Sequence, residues 1–284
     1  MNDPKDGCRK NWIQKGLDSA RGLWDVAKIY AATKREQIKR KHAARKNFCP
    51  VGPGAHEVYF TPRKDFRFFY DKGELDAIFQ YITDAFGPIS RVYYDADDPP
   101  KPRIDIALVD LSKDRDFYTL ATIGMGIQPM RDPSGENDPQ KVFSELVIFL
   151  PPGWDFEKDT WPFQVLKLLA RYHFDHFNQP ILIEAGVTYY GEMMWDTPFD
   201  GVLFIPAATR DEIPYQLQVP NDKIINYYLL LPLYEDEVDY IRAHDDILDF
   251  WDLYWDRIGT VVVNPMRESC ISELEDDEEE DRNN

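Results

Sequence analysis

The chain has 284 residues, a length that suits one large domain or two small ones. Hydrophobic residues make up 43% of it, which is enough for a packed core and excludes a wholly disordered chain. No stretch approaches the roughly 18 apolar residues of a membrane-spanning helix. The polar N-terminus lacks the apolar core of a secretory signal, so we expect a cytoplasmic protein with no membrane partner.

The net charge of −18 is unevenly distributed along the chain. Residues 1–50 contain 13 Lys or Arg against 5 Asp or Glu, a net of +8, which leaves −26 on the remainder. A field of that sign repels nucleic acid and attracts basic proteins. We therefore expect no direct nucleic acid binding by the main body and a basic protein as partner. Plain solubility is the simpler explanation of the same charge.

Composition divides the chain into three parts. Residues 1–55 form a basic, amphipathic helical extension that ends in a Pro/Gly linker, and residues 56–270 form the body. Residues 271–284 form an acidic tail, which we expect to be disordered. The extension carries the run KREQIKRKHAARK, whose charge is compatible with binding phosphates, docking on the acidic body, or remaining solvated.

Within the body, hydrophobic periodicity predicts a mixture of helices and strands. Helices are expected where apolar residues recur at helical spacing, at 74–86, 161–177 and 236–255. Strands are expected at 57–60, 67–70, 90–94, 104–111, 118–124, 144–150, 202–205 and 224–232. Because regular β-α-β alternation is absent, we expect an α+β fold with a central, mixed but mostly antiparallel sheet flanked by helices.

Strong catalytic motifs are missing from the sequence. There is no P-loop and no G-x-S-x-G elbow, and the bare GxG at residues 124–126 predicts a strand end or turn. His173 and His176 share a helix face at i, i+3, which allows a metal-dependent enzyme, but no third ligand is evident. We therefore expect a non-catalytic protein with no metal and no other cofactor. The three cysteines form no CxxC pair, which argues against a disulfide framework or a zinc site.

Several segments, in a fixed order, resemble the Suppressor of fused domain. SELVIFLPPGWDF followed by WPFQVLKLLARY resembles that family's apolar strand, its prolines and its Trp-Pro helix. DGVLFIPA, YYLLLPLYEDEVDYIR and VVVNPMRESC resemble its later strands, its strand-to-helix junction and the endings of bacterial members. The resemblance covers roughly residues 57–270. It implies a mixed α/β domain that binds proteins and has no established catalytic residues.

The resemblance leaves the partner open. Bacterial relatives are often immunity proteins that neutralise a toxin such as a nuclease, which is the function we expect here. Eukaryotic relatives bind an extended peptide of a transcription factor, which makes a regulatory scaffold the first alternative and the metal-dependent enzyme the second. The candidate partner-binding residues lie on an acidic loop and at the strand-to-helix junction: Asp95, Asp97, Asp98, Glu235, Asp236, Glu237 and Asp239.

Overall fold

The computed structural model describes residues 67, 69–95, 102–130, 143–175, 188–190, 197–207, 209, 213–220, 222–244 and 247–272. The helices in this part of the chain are α1 (Lys72–Ala85), α2 (Trp161–Asp175), α3 (Glu235–His244) and α4 (Ile247–Ile258). The strands are β1 (Ile89–Tyr93), β2 (Asp105–Val109), β3 (Tyr118–Ile123), β4 (Ser144–Leu150), β5 (Thr188–Tyr190), β6 (Gly201–Pro206), β7 (Gln216–Val219) and β8 (Lys223–Leu233).

All eight strands belong to one sheet. Their order is β1-β2-β3-β4-β8-β6-β5, and β7 pairs with β8 beside this path. The β4–β8 pair is parallel, whereas every other pair is antiparallel. The predicted fold class, a mixed but mostly antiparallel sheet flanked by helices, is therefore confirmed.

The central strand β4 is buried along its whole length because both faces of the sheet are covered. Leu146, Ile148 and Leu150 enter a core cluster with the buried side of α2. Val147 and Phe149 point the other way, into a cluster with α1. This alternation is the two-residue period of a strand, and it explains why the sequence of β4 is almost continuously apolar.

Helices α1, α3 and α4 cover the second face of the sheet, at different points along β8. Ile225, Tyr227 and Leu229 of β8 belong to the cluster with α1. Leu231 and Leu233, two and four residues further on, belong to a third cluster with α3 and α4. The long strand β8 therefore joins two separate apolar cores on one face of the sheet.

Helix α1 begins with a capping box. The carboxylate of Asp71 accepts from the amide of Glu74 at 2.9 Å, and the amide of Asp71 donates to the Glu74 carboxylate at 2.9 Å. This reciprocal pair satisfies two of the amide groups that a helix start leaves without a partner. The helix therefore begins at Lys72, two residues before the predicted start.

One helix was predicted over 236–255, and this prediction is wrong, because α3 ends at His244 and α4 begins at Ile247. Ile241 of α3 and Phe250 of α4 are both buried in the same cluster. Nine residues are about two and a half helical turns, so one straight helix would place these side chains on opposite sides. Two helices allow both apolar faces to reach the sheet.

Other differences concern short elements. The described residues of the predicted strand 67–70 are irregular, with Phe69 54% exposed, and strands β5 and β7 were not predicted. The predicted strand at 57–60, the N-terminal extension and the acidic tail from residue 273 lie outside the described residues. No helix among the described residues combines the length and apolar character that crossing a membrane requires.

Candidate partner-binding surface

Asp95, two residues after β1, is a predicted partner-binding residue whose carboxylate contacts other parts of the chain. Its side chain is 4% exposed and is ion-paired with Arg171 and, at 3.2 Å, with Lys167 of α2. It also accepts from the amide of Ile104 at 3.0 Å. Burial alone would raise the pKa of Asp95, but this amide and the two cations outweigh it, so the pKa lies below its ordinary value.

Glu237 in α3, a second predicted partner residue, is completely buried. Its two carboxylate oxygens accept from the two terminal nitrogens of Arg267 at 2.5 and 2.6 Å, a two-pronged ion pair. The same oxygens accept from the amides of Cys270 at 2.9 Å and Tyr234 at 3.0 Å. Glu237 therefore holds the segment after α4 against the start of α3.

Glu74 is a third buried carboxylate, and it lies between two cations. Arg67 donates to it at 2.5 Å and Lys223 at 3.1 Å. Burial alone would raise the pKa of Glu74, but the bonds from Arg67, the Asp71 amide and Lys223 lower it below its ordinary value. Burial lowers the pKa of Lys223, and the charge of Glu74 opposes that shift.

Glu145, the second residue of β4, is fully buried, and all its donors in the described part of the chain are neutral. Its carboxyl group accepts from the hydroxyls of Tyr70 at 2.5 Å and Thr122 at 2.6 Å. It also accepts from the three amides of residues 124–126, at 2.8, 3.3 and 3.1 Å. These five bonds make a buried carboxyl group tolerable in an apolar strand.

The GxG pattern has a structural role at this point. Gly124 has φ of 143°, and a Cβ there would lie 2.1 Å from the carbonyl oxygen of Arg103. A Cβ on Gly126 would lie 2.5 Å from the Tyr70 hydroxyl. The predicted strand end or turn is confirmed, since β3 ends at Ile123 and a short 3-10 helix follows. The two glycines let the backbone approach Glu145 closely.

We call the exposed Asp and Glu residues of the described part of the chain the outer acidic residues. Among the described residues, 16 acidic and 5 basic residues are exposed. The acidic ones are Asp71, Asp76, Asp84, Asp110, Asp114, Asp116, Glu157, Asp159, Asp200, Asp222, Glu235, Asp239, Asp249, Asp252, Asp256 and Glu268. The basic ones are Lys72, Arg91, Lys113, Lys158 and Arg242.

The predicted partner residues at the strand-to-helix junction divide between interior and surface. Glu235 and Asp239 are exposed and Asp236 is half-buried, whereas Glu237 is internal. The Asp239 carboxylate lies 3.6 Å from Arg242, and both side chains are more than half exposed. The remaining candidates, Asp97 and Asp98, lie outside the described residues.

The outer face of α4 adds acidic residues that we did not predict. Asp249, Asp252 and Asp256 are exposed, and their spacing of three and then four residues places them on one side of the helix. Phe250 and Tyr254 occupy the buried side. The signal was present in the sequence, since the acidic residues alternate with apolar ones at helical spacing.

The described edge of the sheet at β1 does not favour addition of a peptide strand. Among the described strands, β1 pairs with β2 only. It is five residues long, has a register shift between Ile89 and Arg91, and exposes Arg91. Short length, a bulge and an exposed charge are the features that discourage edge pairing.

A metal centre was the alternative raised by His173 and His176. The side chain of the first and the whole of the second lie outside the described residues. Within the part of the chain that the structure describes, no group of three or more His, Cys, Asp or Glu side chains has a metal-binding arrangement. Burial and the nearby Glu237 raise the pKa of the Cys270 thiol, which makes it a poor nucleophile.

The family is decided by a sequence match. Residues 100–268 match the model of the Suppressor of fused protein (SUFU) family. The chain belongs to the Suppressor of fused family. The family is known for domains that interact with proteins, and the predicted resemblance is thereby confirmed at the level of the family, over the matched residues 100–268.

Solved structures of Suppressor of fused proteins resemble this one, at low sequence identity. A Sufu-Fu complex is 13% identical and aligns over 71% of this chain and 92% of its own, with a TM-score of 0.49. A putative homologue from Neisseria gonorrhoeae is 14% identical over 71% and 96% of the two chains, with a TM-score of 0.47.

Drosophila Suppressor of Fused is also 14% identical, over 62% of this chain and 44% of its own, with a TM-score of 0.42. All three TM-scores are below 0.5, so the family assignment depends on the sequence match. A search of curated proteins finds no match.

Proposed function

We propose that this Suppressor of fused domain is an immunity-type inhibitor, which binds a basic toxin domain and neutralises it by covering its functional surface. The observation that carries the proposal is the imbalance of exposed charge, 16 acidic against 5 basic residues among those described. The sequence extends this imbalance, since residues 51–284 carry a net charge of −26.

The ion pairs inside the fold account for most of the cations that the surface lacks. Arg67, Lys167, Arg171, Lys223 and Arg267 bind three buried carboxylates, so three of their five positive charges are balanced within the fold. The exposed acidic residues therefore create a negative field that few cations offset. Such a field raises the rate at which a basic partner associates and disfavours acidic competitors, nucleic acid included.

We place the contact surface on the outer acidic residues of α3 and α4. From the predicted set it includes the exposed Glu235 and Asp239, together with the half-buried Asp236 beside them. Asp95 and Glu237 are not carried forward, because binding a partner cation would require breaking their internal ion pairs, at a cost of several kcal/mol for the completely buried Glu237. The boundaries at residues 55 and 270 remain a prediction, and the family match lies within them.

The test is affinity capture from the native host, with washes at about 0.05 M and about 0.5 M salt, followed by mass spectrometry. We expect one basic protein at low salt and its loss at high salt, because exposed ion pairs are screened. Expressing the recovered protein alone should be toxic, and co-expression with this domain should restore growth. Capture of a non-toxic regulator through an extended peptide would replace this proposal with the scaffold function.

A matched pair of variants shows whether the surface is specific. Asp239→Lys with Asp256→Lys reverses two charges on α3 and α4, and Asp76→Lys with Asp84→Lys makes the same net change on α1. We expect the first variant to lose capture and the second to retain most of it. Equal losses would mean that net charge alone attracts the partner.

A further inference from the structure

The loop after α4 presents an apolar side chain to solvent at a fixed position. Met266 is 88% exposed, the highest exposure of any large hydrophobic residue that the structure describes. A single exposed hydrophobic residue is common on protein surfaces and by itself indicates nothing. What distinguishes Met266 is the rigidity of the backbone that carries it.

The backbone on both sides of Met266 is fixed by hydrogen bonds. The amide of Met266 donates to the side-chain oxygen of Asn264 at 3.0 Å, and the amide of Arg267 donates to the Asn264 carbonyl at 3.2 Å. The hydroxyl of Tyr234 donates to the carbonyl of Arg267 at 2.5 Å. The side chain of Arg267 forms the buried pair with Glu237.

Aromatic rings hold the Arg267 guanidinium from several directions. Its centre lies 4.6 Å from the ring centroid of Tyr234, 5.3 Å from that of Tyr254 and 5.6 Å from that of Phe199. The residue next to Met266 is therefore anchored in the interior by both charge and packing. Binding through such a loop avoids most of the entropic cost of ordering a flexible segment.

The same contacts place the loop beside acidic residues. Tyr234 and Glu237, which hold the loop, flank Glu235 and Asp236 in sequence at the start of α3. Glu268 follows within the loop and is exposed. An apolar side chain beside carboxylates matches a pocket that has an apolar floor and a positively charged edge.

We propose that Met266 is the central anchor of the partner surface and inserts into an apolar pocket, edged by Lys or Arg, on the basic toxin domain. This inference depends on the proposed function and adds an apolar contact to the acidic surface. The acidic residues speed association and orient the partner, while the buried methionine slows dissociation. An unbranched thioether side chain adapts readily to the shape of such a pocket.

Site-specific crosslinking in the native host tests the anchor. Met266→benzoylphenylalanine should crosslink to the basic protein that salt-dependent capture recovers. Leu111→benzoylphenylalanine, at a residue 39% exposed near the β2–β3 connection, should not. Crosslinking of that protein at position 111 but not at 266 overturns the anchor and leaves the proposed function standing. A crosslink at 266 to a second copy of this chain also overturns it.

Binding of the purified partner then measures the contribution of the side chain. We expect Met266→Ala to weaken binding about tenfold or more, Met266→Leu to retain most of the affinity, and Leu111→Ala to change it little. The melting temperature of Met266→Ala should be unchanged because the side chain packs against little. If capture recovers no basic protein, the proposed function fails and the anchor fails with it. An unchanged affinity of Met266→Ala rejects the anchor alone.

Discussion

The acidic residues of this protein occupy two contrasting environments. Four inner carboxyl groups, Asp95, Glu74, Glu145 and Glu237, are buried and each accepts several hydrogen bonds. The outer acidic residues, by contrast, lie in solvent on loops and on the exposed sides of α1, α3 and α4. The same residue types therefore stabilise the fold in one place and set the surface field in the other.

This contrast shows why acidity in a sequence does not by itself locate a binding surface. A buried carboxylate gives up its solvation and is retained only where cations or amides replace the lost water. An exposed carboxylate keeps its water and can exchange part of it for a partner cation. Substitutions of the buried acidic residues should therefore mainly lower stability, whereas substitutions of the exposed ones should mainly weaken binding.

The largest loss of stability is expected at the pair of Glu237 and Arg267. Arg267→Ala leaves a carboxylate buried without its cation, which costs about 3–5 kcal/mol. Urea denaturation measures the change, with Lys158→Ala as the control, because Lys158 is 82% exposed and water screens its pair with Asp155, so its removal should leave stability nearly unchanged. Similar losses in both variants would contradict the distinction between inner and outer residues.

A smaller loss is expected at Glu145. Glu145→Gln replaces one acceptor oxygen with an amide nitrogen, which then faces hydroxyl or amide donors and leaves at least one bond unmade. We expect the free energy of unfolding to fall by about 1–3 kcal/mol. Tyr70→Phe removes one donor to the same group and should cost less. An unchanged midpoint for Glu145→Gln would show that its five bonds contribute little to stability.

The pH dependence of stability should reveal Asp95 and Glu74. The pKa of each is lower in the folded chain than in the unfolded chain, so each stabilises the fold above its unfolded pKa. That contribution is lost as the pH falls from about 5 through the lowered folded-state values. Asp95→Asn should lose about 1 kcal/mol at neutral pH and show a shallower decline in acid. If the stability of Asp95→Asn falls as steeply in acid as that of the wild type, groups other than Asp95 cause the pH dependence.

The smallest effect on stability is expected at the outer acidic residues. Asp249→Lys, Asp252→Lys and Asp256→Lys should each change the free energy of unfolding by about 0.5 kcal/mol or less. Each lysine relieves repulsion between like charges along one face of α4, which favours a small gain in stability. Thermal melts at low salt compare the stability of each variant with that of the wild type. Losses above about 2 kcal/mol would place these residues among the structural ones.

Much of the fold follows from local patterns in the sequence. The continuous apolar run of β4, the helical spacing in α1 and α2, and the lack of regular β-α-β alternation predicted the right fold class. The break between α3 and α4 was missed because Ile241, Leu248 and Trp251 keep an approximate helical spacing across it, whereas the residues that α4 buries are Phe250 and Tyr254. Strand β7 alternates between exposed and less exposed residues over only four positions, which gives a weak signal.

The candidate site was harder to predict because its division into inner and outer residues depends on distant pairs. Asp95 binds Arg171, 76 positions away, and Glu237 binds Arg267, 30 positions away. Local sequence marks both acids as polar loop or helix-start residues, which is why they were predicted to face a partner. A lone glutamate within an apolar strand was the available signal for Glu145, and the GxG pattern was the signal for its amides.

The most direct test of the central claim is the salt dependence of affinity for the captured basic partner, compared between the wild type and Asp239→Lys with Asp256→Lys. Titration calorimetry between about 0.05 and 0.5 M salt provides it. We predict that the wild type binds tightly at low salt and weakens steeply as salt rises, and that the variant binds weakly with a flatter slope. Equal affinities and equal slopes for the two proteins would contradict the claim that the outer acidic residues of α3 and α4 bind the partner.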